Sequence, residues 1–234
     1  MPDRIPLLLC PGLLCDHALW EPVFPSIRDI ARPFVADLAQ DESIAAMAER
    51  ALAAAPPRFA LAGLSMGGYV ALEIMRQAPQ RVGRLALLDT SARADLPEQS
   101  RRRRLLMALA ETGQFRGVTP RLLPQLVHPS RIEGPIGQEV MAMAERIGRA
   151  AFLRQQKAIM GRIDSRPHLA AIEVPTLVGV GAEDLLTPPE LAEEIAAGIP
   201  GAMLVRFAGS GHLPTMEVPE EAGAALRRWL LDSH

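Results

Sequence analysis

The sequence predicts an α/β protein, a parallel sheet with helices on both faces and a helical insert in the middle of the chain. Three observations carry this. Short, continuous apolar runs alternate with helix-patterned segments, as in parallel crossover units. The alternation stops between about Ala92 and Ser165, where no strand pattern occurs, and resumes afterwards. The 234 residues are 49% hydrophobic and 22% charged, ordinary for a globular chain able to bury a large core.

Ile5-Pro-Leu-Leu-Leu-Cys10 is apolar and stopped by Pro11-Gly12, so it reads as a strand buried on both faces. Arg32 to Asp37 gives a weaker second strand. Ser43 to Ala55 is an Ala-rich helix, with Ser43 as N-cap and Pro56-Pro57 as its stop. Arg58 to Leu64 is a strand, followed at once by a helix from Met66 to Ala78 that ends before Pro79. Arg84 to Leu88 is the next strand, ending at Asp89. The insert is broken at Gly113, Pro120, Pro129, Gly134-Pro135 and Gly148. Val174 to Val180, Pro189 to Ala197, Ala202 to Phe207 and Pro219 to Leu231 then read as strand, helix, strand, helix. Right-handed crossovers make such strands parallel, and ligands sit at their carboxyl edge. The insert is bounded by strand ends and is expected to cover that edge. The expected division is a core of residues 1–91 and 166–234 with a lid of residues 92–165.

A net charge of −2 supplies no global field toward nucleic acid or an anionic membrane. Cys10 and Cys15 provide no disulfide framework and suit a reducing compartment. Met1 to Arg4 and the short run Ile5 to Cys10 do not make a signal segment or a membrane span, so a cytoplasmic location without membrane insertion is expected. No set of histidines, cysteines or carboxylates has metal-ligand spacing and no phosphate loop occurs. Neither a metal nor a cofactor is expected.

Gly63-Leu64-Ser65-Met66-Gly67-Gly68 is the most informative stretch. It matches G-x-S-x-G between a predicted strand and a predicted helix, the context the pattern needs. The serine must sit on a sharp turn so that its Oγ projects, and glycines two residues to either side let strand and helix approach. The helix N-terminus aims N–H groups and a positive dipole end at the reacting centre. A serine nucleophile needs a base within reach. Of the five histidines, His212 lies in Gly209-Ser-Gly-His-Leu-Pro214, directly after a strand and on the same edge as Ser65. His17 follows the first strand but is less well placed; His128 and His168 fall in or beside the insert, and His234 is the last residue. The acid that orients the base is Asp184, after the strand ending near Val180, which gives the chain order Ser65, Asp184, His212. Glu183 is its neighbour, and Asp89, also at a strand end, is the rival acid. Backbone N–H groups of Met66 and of Leu13, in Pro11-Gly12-Leu13-Leu14, are the candidate oxyanion donors, with Gly12 allowing close backbone approach.

With these residues in view, the chain resembles the α/β-hydrolase superfamily over nearly its whole length. Leu9-Cys10-Pro11-Gly12-Leu13-Leu14, with Trp20 downstream, looks like the family's oxyanion loop, with Pro11 where histidine is commoner. Val35-Ala-Asp-Leu38 looks like the strand and turn that precede a Gly-His-Gly segment, which is missing here. Gly181-x-x-Asp184-x-x-Thr187-Pro188 and Gly211-His212 resemble the acid and histidine loops. The family's first two strands have no counterpart, so the resemblance implies about six parallel strands. Serine as nucleophile separates the chain from relatives that use aspartate there.

The expected chemistry is acyl transfer on a small ester, thioester or lactone through an acyl-enzyme. Rival expectations are a carbon–carbon bond hydrolase or lyase with the same triad, and a hydrolase-fold ligand receptor with little turnover. The only partner implied is a small ester-like substrate; the sequence leaves oligomeric state open. Met107, Met141, Met143 and Met160 in the insert suit either helix core or an adaptable apolar pocket. The run Arg101 to Arg104 is either a solvated face or an attractor of anionic substrates.

Overall fold

A computed structural model describes residues 4–232 of the chain. Strands β1 (Ile5–Cys10), β2 (Ala31–Val35), β3 (Phe59–Leu64), β4 (Val82–Leu88), β5 (Thr176–Gly181) and β6 (Met203–Phe207) form one sheet in the order β2-β1-β3-β4-β5-β6. Every pairing is parallel. The helices are α1 (Phe24–Ile27), α2 (Ile44–Ala54), α3 (Met66–Gln77), α4 (Pro97–Leu109), α5 (Pro135–Met160), α6 (Pro189–Gly198), α7 (Pro214–Glu217) and α8 (Pro219–Leu231). One sheet of six parallel strands flanked by helices agrees with the fold that the resemblance implies.

Side chains alternate across a strand, so β1 feeds two cores. Leu8 and Cys10 belong to one core layer with Met47 of α2, Val70 of α3 and, farther along the sheet, Ile195 of α6. Leu7 and Leu9 pack on the other face with Ile27 of α1 and Leu226 and Trp229 of α8. The continuous apolar runs are thus explained by burial on both faces; β3 and β5 are buried at every residue.

Boundaries shift where local chemistry intervenes. Ser43 caps α2 as expected, its Oγ accepting from the N–H of Ala46 at 3.1 Å. β2 stops at Val35, because Asp37 turns the chain by accepting from the N–H of Ala39 at 2.9 Å. β4 starts at Val82, which pairs with Phe59 across a register shift. β5 starts at Thr176 because Pro175 has no N–H to give to a ladder. In the insert, Gly113 (φ 83°) ends the helical run after α4, whereas Gly148 (φ 77°) kinks α5 without ending it. Residues 92–165 contain no strand. No described helix is long and apolar enough to cross a membrane.

Candidate active site

Three described non-glycine residues have a positive φ: Leu14 (59°), Ser65 (55°) and Asp89 (44°). They follow the carboxyl ends of β1, β3 and β4 respectively, and strained backbone concentrates where geometry serves function. At Ser65 the chain turns from β3 directly into α3. Ser65 N–H donates to the carbonyl of Leu88 at 3.0 Å, and Thr90 Oγ1 donates to the carbonyl of Ser65 at 2.7 Å, so the end of β4 holds the turn. The flanking glycines are steric necessities. A Cβ on Gly63 would lie 2.2 Å from the carbonyl oxygen of Gly67, and one on Gly67 would lie 1.9 Å from that of Cys10. Gly12 departs from the expectation of close backbone approach. A Cβ there would meet Cys15 Sγ and Ser65 Cβ at 3.5 Å, ordinary contact, so what Gly12 keeps open is the space beside Ser65.

His212 and Asp184 come together in the interior, 3% and 2% exposed, with Nδ1 of the imidazole 2.8 Å from Asp184 Oδ2. Asp184 also accepts from Leu186 N–H (2.8 Å), Thr187 N–H (3.2 Å) and Thr187 Oγ1 (2.7 Å). Burial alone would push its carboxyl up. The His212 imidazole and the Thr187 hydroxyl outweigh that and hold it below the usual carboxylate range. An ionised Asp184 fixes the ring proton on Nδ1 and leaves Nε2 as the acceptor. Among the described residues no hydrogen bond joins the Ser65 hydroxyl to His212. Both line one cavity of about 680 Å³, and such pairs often tighten only with substrate bound.

The two candidate oxyanion donors follow the carboxyl ends of β3 and β1. Met66 is the first residue of α3, so its N–H has no partner within the helix. Leu13 N–H makes no hydrogen bond among the described residues. The neighbouring Leu14 N–H is fixed instead, donating to Gln155 Oε1 of α5 at 3.1 Å.

Asp89 is fully buried but does not reach His212 by a hydrogen bond. Its Oδ1 accepts from Gly181 N–H at 2.8 Å, and its Oδ2 has no partner. Burial first, and the Asp184 charge second, raise its carboxyl well above the usual range. Both effects favour the protonated form of Asp89 over the charged one. Polar atoms of Asp89, Asp184 and His212 lie within 4.8 Å of one another. One imidazole and two carboxyls would be a plausible ligand set for a metal, but the geometry does not favour it. Nδ1 and both oxygens of Asp184 are already engaged in hydrogen bonds.

Glu217 was not legible as a site residue. It is buried at the end of α7 and accepts from the N–H groups of His128 (2.6 Å), Gly211 (3.2 Å) and Leu213 (3.0 Å). It thereby fixes the backbone on both sides of His212. Glu183 takes a related part, accepting from Ser210 N–H at 3.1 Å. The other described histidines do not line the cavity. His17 is exposed beside Glu21, His128 bonds Ser130 Oγ at 2.7 Å, His168 is exposed, and His234 lies outside the described residues.

Comparison with known proteins agrees with this architecture. Residues 7–226 match the model of the alpha/beta hydrolase family. The chain is 31% identical over 199 residues to a pimeloyl-[acyl-carrier protein] methyl ester esterase of Neisseria meningitidis, covering 82% of this chain and 77% of that protein. Among solved structures it is similar to a thermophilic esterase from Thermogutta terrifontis. The TM-score is 0.87 at 30% identity, covering 97% of this chain and 90% of that one. The enol-lactonase from Burkholderia xenovorans LB400 shares the fold, with a TM-score of 0.85 at 23% identity over 98% of this chain and 92% of that one. The chain belongs to the alpha/beta hydrolase family and is a hydrolase enzyme of that family.

Proposed function

We propose that the protein is a serine hydrolase that cleaves small esters through an acyl-enzyme, with Ser65 as nucleophile, His212 as general base and Asp184 as the orienting acid. The observation that carries this reading is the pairing of a strained Ser65 elbow with a buried His212–Asp184 couple on one cavity. In the first step His212 Nε2 takes the hydroxyl proton as Ser65 Oγ attacks the ester carbonyl. The N–H groups of Leu13 and Met66 hold the oxyanion, and the imidazolium then protonates the leaving alcohol. In the second step water attacks the acyl-enzyme, with His212 again as base. Asp184 stays ionised throughout and stabilises the imidazolium.

Residues 92–165 act as the lid of this site in our reading. The insert supplies much of the cavity wall, including Leu106, Phe115 and Phe152. Its middle is tied to the core, since Leu126 accepts from His212 N–H at 3.0 Å. Any opening therefore belongs to the part before Leu126. The thiols of Cys10 and Cys15 are free and buried, which suits a cytoplasmic location.

Hydrolysis of p-nitrophenyl acetate tests the reading. Wild type should turn over, with a burst of nitrophenol matching the enzyme concentration if deacylation limits. Ser65→Ala and His212→Ala should lose about three orders of magnitude or more in kcat/KM. Unchanged turnover in Ser65→Ala would overturn it.

A further inference from the structure

The cavity is electrostatically one-sided. Arg93, Arg102, Arg103, Arg116 and Arg162 line it, and no described aspartate or glutamate does, although the chain carries a net charge of −2. Two carboxylates stand behind these five guanidiniums. Glu194 forks with Arg93 at 2.9 and 3.0 Å. Asp95, with its side chain 1% exposed, serves both Arg103 (2.8 Å) and Arg162. Arg102 has only a neutral partner, Gln125 Oε1 at 3.2 Å, and Arg116 has none among the described residues.

Helix geometry sorts the run Arg101 to Arg104. Gln99, Arg102, Leu106 and Leu109 recur at spacings of three and four residues and form one stripe of α4 on the cavity, with Arg103 beside it. Arg101 and Arg104 lie off the cavity, and Arg101 pairs with Glu98 at 2.9 Å. The stripe also explains two exposed leucines, Leu106 (38%) and Leu109 (40%), which form an apolar path beside the cations.

We propose that the substrate is an ester bearing an anionic group, a carboxylate or a phosphate, remote from the scissile bond, with an apolar spacer along the leucines of α4 and the anion held by Arg102 and Arg116. This rests on the hydrolase reading above. Two under-neutralised guanidiniums offer forked donors that match carboxylate and phosphate oxygens. A cavity lined by one sign of charge raises the local concentration of such a substrate. Glutamine or lysine would not supply both the fork and the fixed charge.

The test compares three methyl esters of similar length by methanol release: methyl hexanoate, monomethyl adipate and methyl 6-(phosphonooxy)hexanoate. In low salt, kcat/KM for one of the two anionic esters should exceed that for methyl hexanoate by about tenfold, and the faster arm tells carboxylate from phosphate. The ratio should shrink in 0.5 M NaCl, since part of the attraction is screened. Arg102→Gln with Arg116→Gln should lower the ratio by about fivefold or more, whereas Arg101→Gln, off the cavity, should leave it unchanged. Equal or faster turnover of methyl hexanoate, or failure to hydrolyse all three by an enzyme whose Ser65 still reacts with a fluorophosphonate, overturns the proposal. Loss of fluorophosphonate labelling in folded wild type is a different outcome and removes the hydrolase reading beneath it.

Discussion

Asp89→Asn separates a neutral acid from an ionised one at the same place. The amide is nearly isosteric, so Oδ1 can still accept from Gly181 N–H, and the NH2 can donate where the wild-type proton would. An acid with its native pKa raised above the ordinary 3.8 keeps its proton in the folded chain after the unfolded chain has released it. Wild-type stability therefore falls as pH rises above that value, and the fall ends once the native group also ionises. Asparagine cannot ionise and escapes the loss. The mutant's advantage should thus be near zero at pH 3.5 and grow with pH by about 1.4 kcal/mol per unit, the slope of one proton. It should level off where native Asp89 titrates. Glu217 and Asp184 are the other acids whose charges bear on this group, and both add to its upward shift. Urea unfolding of both proteins between pH 3.5 and 8 measures the difference. An Asp89→Asn protein less stable than wild type at pH 7, or a difference independent of pH, would refute the reasoning.

Glu217→Ala orphans the N–H groups of His128, Gly211 and Leu213. At about 1–3 kcal/mol per buried unpaired group, partly relieved by relaxation, urea melts should show a loss of about 3–6 kcal/mol. Asp184→Asn keeps the shape but reverses the preferred ring tautomer of His212. Ester kcat/KM should fall by about three to four orders of magnitude, with the fold retained by circular dichroism. Burial pushes the Cys10 and Cys15 thiols up to about 12, so a disulfide reagent at pH 8 should leave both untouched in the native protein and modify both in urea.

The parts of the site written locally were legible in the sequence. Gly63-x-Ser65-x-Gly67 encodes a turn whose steric demands are internal to a few residues, and its overlaps with Gly67 and Cys10 show why other side chains fail there. Asp184 and His212 each follow a strand end, β5 and β6, which puts both on the edge that carries Ser65. The supporting residues were hidden because their partners are distant in sequence. Gln155 reaches Leu14 across 141 positions, and Glu217 reaches His128 across 89. No local pattern marks either. Asp89 is visible as a rival acid, but the upward shift of its carboxyl comes from burial first and from the nearby Asp184 second, and no local pattern encodes either. The arginine run remained ambiguous until the register of α4 divided it between cavity and solvent.

Fluorophosphonate labelling read by intact mass tests the central claim most directly, because the reagent asks only for an activated serine and assumes no substrate. One adduct on wild type, and none on folded Ser65→Ala or His212→Ala, is the predicted result. An unlabelled wild type, or a Ser65→Ala protein that labels as fast as wild type, would contradict the assignment of Ser65 as a nucleophile activated by His212.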